Sequence, residues 1–198
     1  MPSKSDLTKL HIIEKAAPLF NRLGFAGTAM SDILAATGLT KGGIYGNFKS
    51  KDEIAAAAFE YSFQRMKATL TAAIIPQPTA VGRLLALLNF YHNYTLFPTI
   101  EGGCPVVNSA VEVRAGFPAL QKQVNDALQD MLDALQRILD LGIARGELRA
   151  DLRPQQEAEL IYAQITGGMV MSRAANDPRH LNRLLDSLKR YVQQELAV

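Results

Sequence analysis

Apolar residues recur at spacings of three and four almost from the first residues. Leu7, Leu10, Ile13, Ala17 and Phe20 mark one face of a helix predicted over about 4–23. Gly24 stands just past its last turn, where glycine commonly stops a helix. A short helix over 28–37 follows, with Thr28 as its N-cap and Ile33 and Leu34 as its apolar positions. Gly38 ends it, Leu39 and Thr40 make a tight turn, and a very short third helix covers about 41–46. Ser50-Lys51-Asp52-Glu53 has the form of a capping box and opens a long helix that runs to the Pro76-Gln77-Pro78 break. Beyond it the pattern predicts helices over 79–96, 105–114, 118–141, 154–174 and 178–195. Pro154 and Pro178 fall at first-turn positions, and Asp177 is placed to cap the last helix. Strand-like alternation is absent, so the chain reads as all-α.

Composition narrows the class. Nearly half of the 198 residues are apolar, enough to fill a core and to argue against wholesale disorder. No uncharged apolar run reaches the roughly 18 residues that a membrane helix needs, and the first residues are polar, unlike a secretory leader. The lone cysteine, Cys104, forbids an intrachain disulfide and fits a reducing cytoplasm. Through Lys51 there are seven basic and three acidic residues, a net charge of +4. The remainder carries fourteen and sixteen, a net of −2. A basic first quarter on a mildly acidic body suits a small polyanion-binding module joined to something else.

The stretch from Met30 to Lys51 is the informative one. Two short helices about a glycine-containing turn form a helix-turn-helix pattern, with Ile33, Leu34, Leu39 and Ile44 placed to hold them against the first helix. So short and glycine-rich a second helix (Gly42, Gly43, Gly46) would hardly form alone, and packing must hold it. The order Gly24, Phe25, Thr28, Asp32, Ile33, Gly38, Lys41, Gly42, Tyr45, Phe48, Lys51 closely resembles the DNA-binding domain of the tetracycline-repressor (TetR) family. Asn47 departs from the His or Tyr common between the family's aromatic residues, which bears on operator preference and not on fold. The resemblance implies an N-terminal three-helix DNA-binding domain, 1–50, and a C-terminal helical effector-binding and dimerisation domain, 51–198. It also implies a ligand-responsive repressor that binds a palindromic double-stranded DNA operator as a homodimer in the cytoplasm. The implied DNA-binding residues are Thr28, Lys41, Gly42, Gly43, Tyr45 and Lys51. The short third helix would enter the major groove, while Thr28, Tyr45 and Lys51 would meet phosphates. Core packing is the expected role of Phe48 and an equal alternative for Tyr45.

The body has little motif content. Resemblance pairs its last two long helices with their symmetry mates, and Ile161, Ile165, Gly168, Met169 and Ser172 offer an apolar, small-residue face for that purpose. Phe63, Met66, Phe90, Tyr91, Tyr94, Cys104 and Tyr162 are the candidate lining of an apolar effector pocket, although aromatic residues at helical spacing more often describe a plain core. Gly102-Gly103-Cys104-Pro105-Val106-Val107-Asn108 resembles a loop-to-helix junction in one branch of these regulators. There Cys104 stands at a helix start, where the dipole would favour a reactive thiolate, or else it is a small buried hydrophobe. His11, His92 and His180 lack metal-ligand spacing, and no phosphate loop, catalytic triad or paired carboxylate is present. The expectation is therefore no metal, no cofactor and no enzyme.

Overall fold

The computed structural model describes residues 3–94, 97–112 and 117–198. Its helices, in order, are α1 (Lys4–Gly27), α2 (Met30–Thr37), α3 (Lys41–Tyr45), α4 (Lys51–Ile74), α5 (Ala80–Tyr94), α6 (Pro105–Ala110), α7 (Pro118–Ala144), α8 (Pro154–Ala175) and α9 (Arg179–Tyr191), with a π-helical turn, Val192–Leu196, continuing α9. The expected ends at Leu96 and Arg114 lie outside the described residues. Among those described no strand forms, and no helix is long and apolar enough to cross a membrane. The chain divides into two compact units, Met1–Met66 with Pro98–Ala127, and Lys67–Phe97 with Leu128–Val198.

In the first unit, Ile12, Ala16, Ile33, Ile44, Phe48 and Ile54 form a buried cluster, with Leu34 and Leu39 packed on its edge. The α1 face is corrected here. Leu7 and Leu10 are 54% and 43% exposed, while Ala17 of the predicted face is buried and Ile13 and Phe20 pack on the core. The helix also buries Ile12, Ala16 and Asn21, because the core cluster begins at Ile12. A capping box between Ser3 and Asp6 starts α1. Gly24 leaves the helical region (φ 75°, ψ 173°), so the stop predicted there is a sharp break followed by one more turn. The N-cap of α2 is Ala29 and not Thr28. Thr28 is fully buried and donates its hydroxyl to the Gly24 carbonyl at 2.7 Å. Asp32 accepts from the Ala29 amide at 2.8 Å.

The second unit is built on α8 against α9. Ile161, Ile165 and Gly168 of α8 are buried, as are Leu181, Leu185 and Leu188 of α9. The Leu181 amide donates to the Ser172 hydroxyl at 2.9 Å. The N-cap of α9 is Pro178 and not Asp177, which stands one residue earlier and accepts from the Arg179 amide at 2.9 Å. Its hydrogen-bonded ion pair with the Arg179 guanidinium holds its carboxyl at about 2. Tyr191 donates to Glu157 at 2.8 Å. Burial, and then that carboxylate, push the phenol up to about 12. The Glu147 carboxylate caps α5 at the Ala80 amide. Leu148 and Ala197 pair, with the Arg149 amide donating to the Leu196 carbonyl at 2.9 Å, so the residues after α9 are fastened to the α7–α8 loop.

Ile161, Ile165 and Gly168 were expected at a subunit interface, but they are buried within the chain. A Cβ on Gly168 would stand 2.8 Å from Leu181 Cδ1 and 3.2 Å from Leu181 Cα. The opposite stripe of α8 is the uncovered one. Leu160 is 41%, Val170 48% and Met171 50% exposed, and no atom lies within 4 Å of where a Gly167 Cβ would be. Replacing Gly168 by alanine should therefore lower stability. The added methyl's overpacking costs about 1–3 kcal/mol, against the roughly 1 kcal/mol that alanine gains over glycine in a helix interior. Urea melts decide it, and a midpoint above wild type would show that α9 gives way freely.

Candidate nucleic-acid interface

α3 begins where the Thr40 hydroxyl accepts from the Gly43 amide at 3.2 Å, and one apolar anchor, the fully buried Ile44, fixes it to the core. Its other side is open: Lys41 and Gly42 are exposed, Gly43 is half-buried, and Tyr45 is 48% exposed. Phe48 is buried, as a core residue would be. Asn47 faces inward, donating to the Gly43 carbonyl at 2.8 Å and accepting from the Ser5 hydroxyl at 3.1 Å. It thus ties the start of α1 to α3. His11 makes a similar tie, its Nε2–H donating to the Thr37 carbonyl at the end of α2 at 2.9 Å. These contacts hold a five-residue helix that could not persist alone.

At the start of α4 the Glu53 amide donates to the Ser50 hydroxyl at 3.2 Å. The reciprocal leg reaches one residue further back than a standard capping box, to the Lys49 amide at 2.6 Å. Lys51 is half-buried, with its ammonium 4.2 Å from the centroid of the Phe25 ring. Thr28 stands apart from this surface. Its hydroxyl is buried and already donated to Gly24, so the described conformation offers it to no phosphate.

The Phe25 ring also lies against Phe117, with centroids 4.0 Å apart, and its amide donates to Glu112 Oε2 at 2.6 Å. Nearby, Asn21 donates to the carbonyls of Glu101 and Gly103 at 3.0 and 2.8 Å. Asn108 donates to the Asn21 carbonyl and side-chain oxygen, each at 3.0 Å. Gly102 packs so tightly on α1 that a Cβ would stand 2.7 Å from the Asn21 carbonyl carbon. The Gly102–Asn108 stretch is therefore a joint onto α1. A small cleft of about 30 Å³, open to solvent on one side, lies here among Ala17, Phe20, Phe25, Phe59, Asn108 and Glu112. Sequence reading singled out Asn108 within a motif but assigned Asn21, Phe25 and Glu112 no site role. Their partners lie about eighty residues away, and no local pattern announces them.

The candidate effector residues are all buried and fall in both units. Phe63, Met66 and Cys104 belong to the first, with Phe59 and Phe63 stacked at 6.2 Å. Phe90, Tyr91, Tyr94 and Tyr162 belong to the second, where Phe90 meets Tyr91 and Tyr94 at 5.2 and 5.1 Å. None of the seven lines the cleft. Cys104 is the N-cap of α6, and the Val106 and Val107 amides favour its thiolate. Burial outweighs them and pushes the thiol above its ordinary value. Its sulfur lies 3.9 Å from Met66 Sδ and the residue is only 5% exposed, which matches the small buried hydrophobe of the two alternatives and not the accessible thiol. Among the described residues no three His, Cys, Asp or Glu side chains are placed to hold a metal ion.

Comparison with known proteins gives a consistent picture. Residues 12–58 match the family model described as bacterial regulatory proteins, tetR family, and residues 80–188 match that of the tetracyclin repressor-like C-terminal domain. The crystal structure of a TetR transcriptional regulator from Chloroflexus aurantiacus superposes with a TM-score of 0.93, at 33% identity and over 98% of each chain. The HTH-type transcriptional repressor DhaR of Mycobacterium sp. (strain GP1) is 23% identical over 88% of this chain and 87% of its own. The same fold occurs in the regulator CifR, solved as a cysteine mutant with 26-bp double-strand operator DNA. That chain is 20% identical, with a TM-score of 0.79, over 93% of this chain and 94% of its own.

The buried thiol has a measurable consequence. Cys104 should resist a thiol-reactive electrophile in the native protein at neutral pH and label promptly in denaturant. Because its folded pKa is raised, its contribution to stability is complete below the free-thiol range near 8.5 and is lost as pH rises from there through the folded value. Labelling of the native protein at the rate of a free cysteine would restore the sensing role.

Proposed function

The chain belongs to the TetR family of bacterial regulators, and on that footing we propose that it is a ligand-responsive transcriptional repressor that binds a palindromic operator as a homodimer and releases it when a small-molecule effector binds. Residues 1–50 read the DNA, and 51–198 carry effector binding and dimerisation. The chain acts by binding and not by catalysis, in the cytoplasm, where its operator lies.

The observation that carries this reading is α3, a helix held from behind by Ile44, Thr40 and Asn47 and left open on the side bearing Lys41, Gly42 and Tyr45. Bare glycine backbone beside a lysine and a tyrosyl hydroxyl suits close approach to a groove. Lys41 donates to base-edge acceptors, and Tyr45 and Lys51 donate to phosphate. Repression is what the name of DhaR states, and operator binding is what the CifR complex contains; both support the reading by kinship. The buried aromatic group Phe90, Tyr91 and Tyr94, with Tyr162, supports an apolar effector taken up in the second unit. The uncovered α8 stripe of Leu160, Gly167, Val170 and Met171 supports dimerisation through that face.

Fluorescence anisotropy on duplexes from upstream of the chain's own gene tests the reading. Wild type should bind a palindrome whose half-sites lie about 34–36 Å apart or somewhat more. Lys51→Ala should weaken all sequences alike and reduce the salt slope by about one. Lys41→Ala should also change base preference. Failure to bind any upstream fragment at low salt and micromolar protein would overturn it. Met171→Glu should yield a folded monomer in sedimentation, with weakened operator binding because the two half-sites lose their linkage. An intact Met171→Glu dimer would place the interface elsewhere.

A further inference from the structure

The break in α1 divides one hydrogen bond between two side chains of another segment. In an unbroken helix the Phe25 amide would donate to the Asn21 carbonyl, four residues back. Gly24, at φ 75°, turns that amide away. The amide then donates to Glu112 Oε2 at 2.6 Å, while the vacated Asn21 carbonyl accepts from Asn108 Nδ2 at 3.0 Å. Asn108 lies in α6 and Glu112 just past its end, four residues apart, so one face of this segment supplies both substitutes. The fit is close. A Cβ on Gly24 would stand 1.8 Å from Glu112 Oε1, inside the carboxylate. The residue carrying the redirected amide is also the one whose ring supports the Lys51 ammonium at 4.2 Å, with Phe117 packed on the same ring at 4.0 Å.

We infer that Asn108, Glu112 and Phe25 are positioning residues for DNA binding: the α6 segment keeps α1 broken at Gly24, and the break presents the Phe25 ring as the seat that holds Lys51 ready for a phosphate. This rests on the reading of Lys51 as a phosphate contact. Phe25 itself touches no DNA. When α6 withdraws, the Phe25 amide and the Asn21 carbonyl have each other as partners, so α1 rewinds through Gly24 with neither group orphaned. The ring moves with the backbone, and Lys51 loses its seat. The two arrangements exchange one set of hydrogen bonds for another, which makes the joint two-state and not graded.

The test is a set of double-mutant cycles on the full-length protein, read by operator affinity and salt slope, with thermal melts to confirm folding. Glu112 is exposed, so Glu112→Ala should fold and lose about tenfold in affinity, the order of one charge-assisted hydrogen bond. Glu112→Gln, which can still accept from the Phe25 amide, should recover most of that loss. Phe25→Leu should move the salt slope toward that of Lys51→Ala, and Phe25→Tyr, which keeps a ring face, should not. In a Lys51→Ala background both Glu112→Ala and Phe25→Leu should cost little more. Full losses in that background, or a Glu112→Ala protein with wild-type affinity, overturn the inference. An unchanged salt slope in Lys51→Ala alone defeats instead the assignment of Lys51 to phosphate.

Discussion

A helical hydrogen bond left unmade, from the Phe25 amide to the Asn21 carbonyl, organises the first unit. A part-buried backbone group left without a partner costs about 1–3 kcal/mol, so the break is favoured where the vacated Asn21 carbonyl finds another donor. Here a carboxylate takes the donor and a carboxamide serves the acceptor, and both come from the α6 segment. Around that exchange the neighbouring choices become necessities. Gly24 must lack a side chain, Gly102 must let the preceding loop approach Asn21, and Asn21 must be buried and polar to bind the carbonyls of residues 101 and 103.

The recognition surface is economical in a different way. α3 has too few residues to be stable, and it contributes one buried side chain, Ile44, to the core. Its rigidity comes from outside: Thr40 caps it, Asn47 folds back on it, and Ser5 links Asn47 to the start of α1. The residue that departs from the family pattern has thus become part of the brace. A His or Tyr there would make a different set of contacts with Gly43 and Ser5, so the stiffness of α3 depends on the residue at 47.

The helices, their order and the helix-turn-helix were legible in the sequence because apolar spacing, glycine stops and proline starts are local signals, and Ile33, Ile44 and Phe48 proved buried as read. The face of α1 was misread at Leu7 and Leu10 because periodicity shows an apolar stripe but not where its partner begins. Thr28 looked like a cap by type, yet its hydroxyl found the carbonyl of Gly24 behind it. Gly168 was rightly seen as a point of close approach, but sequence cannot say whether the approaching helix belongs to the same chain. The Glu112 contact was out of reach for another reason. It bridges 87 positions and serves a backbone amide, which has no residue type to betray it.

The fastening of the residues after α9 to the α7–α8 loop bears on how this molecule can be watched. Leu196 is fully buried, its carbonyl accepts from Arg149, and the Val198 amide donates to the Glu147 carbonyl at 3.3 Å, while the Val198 side chain stands free. A spin label or fluorophore carried on the exposed side chain of residue 198 therefore departs from a pinned anchor. Its tumbling would follow the second unit as a body, giving distance measurements between protomers a fixed origin.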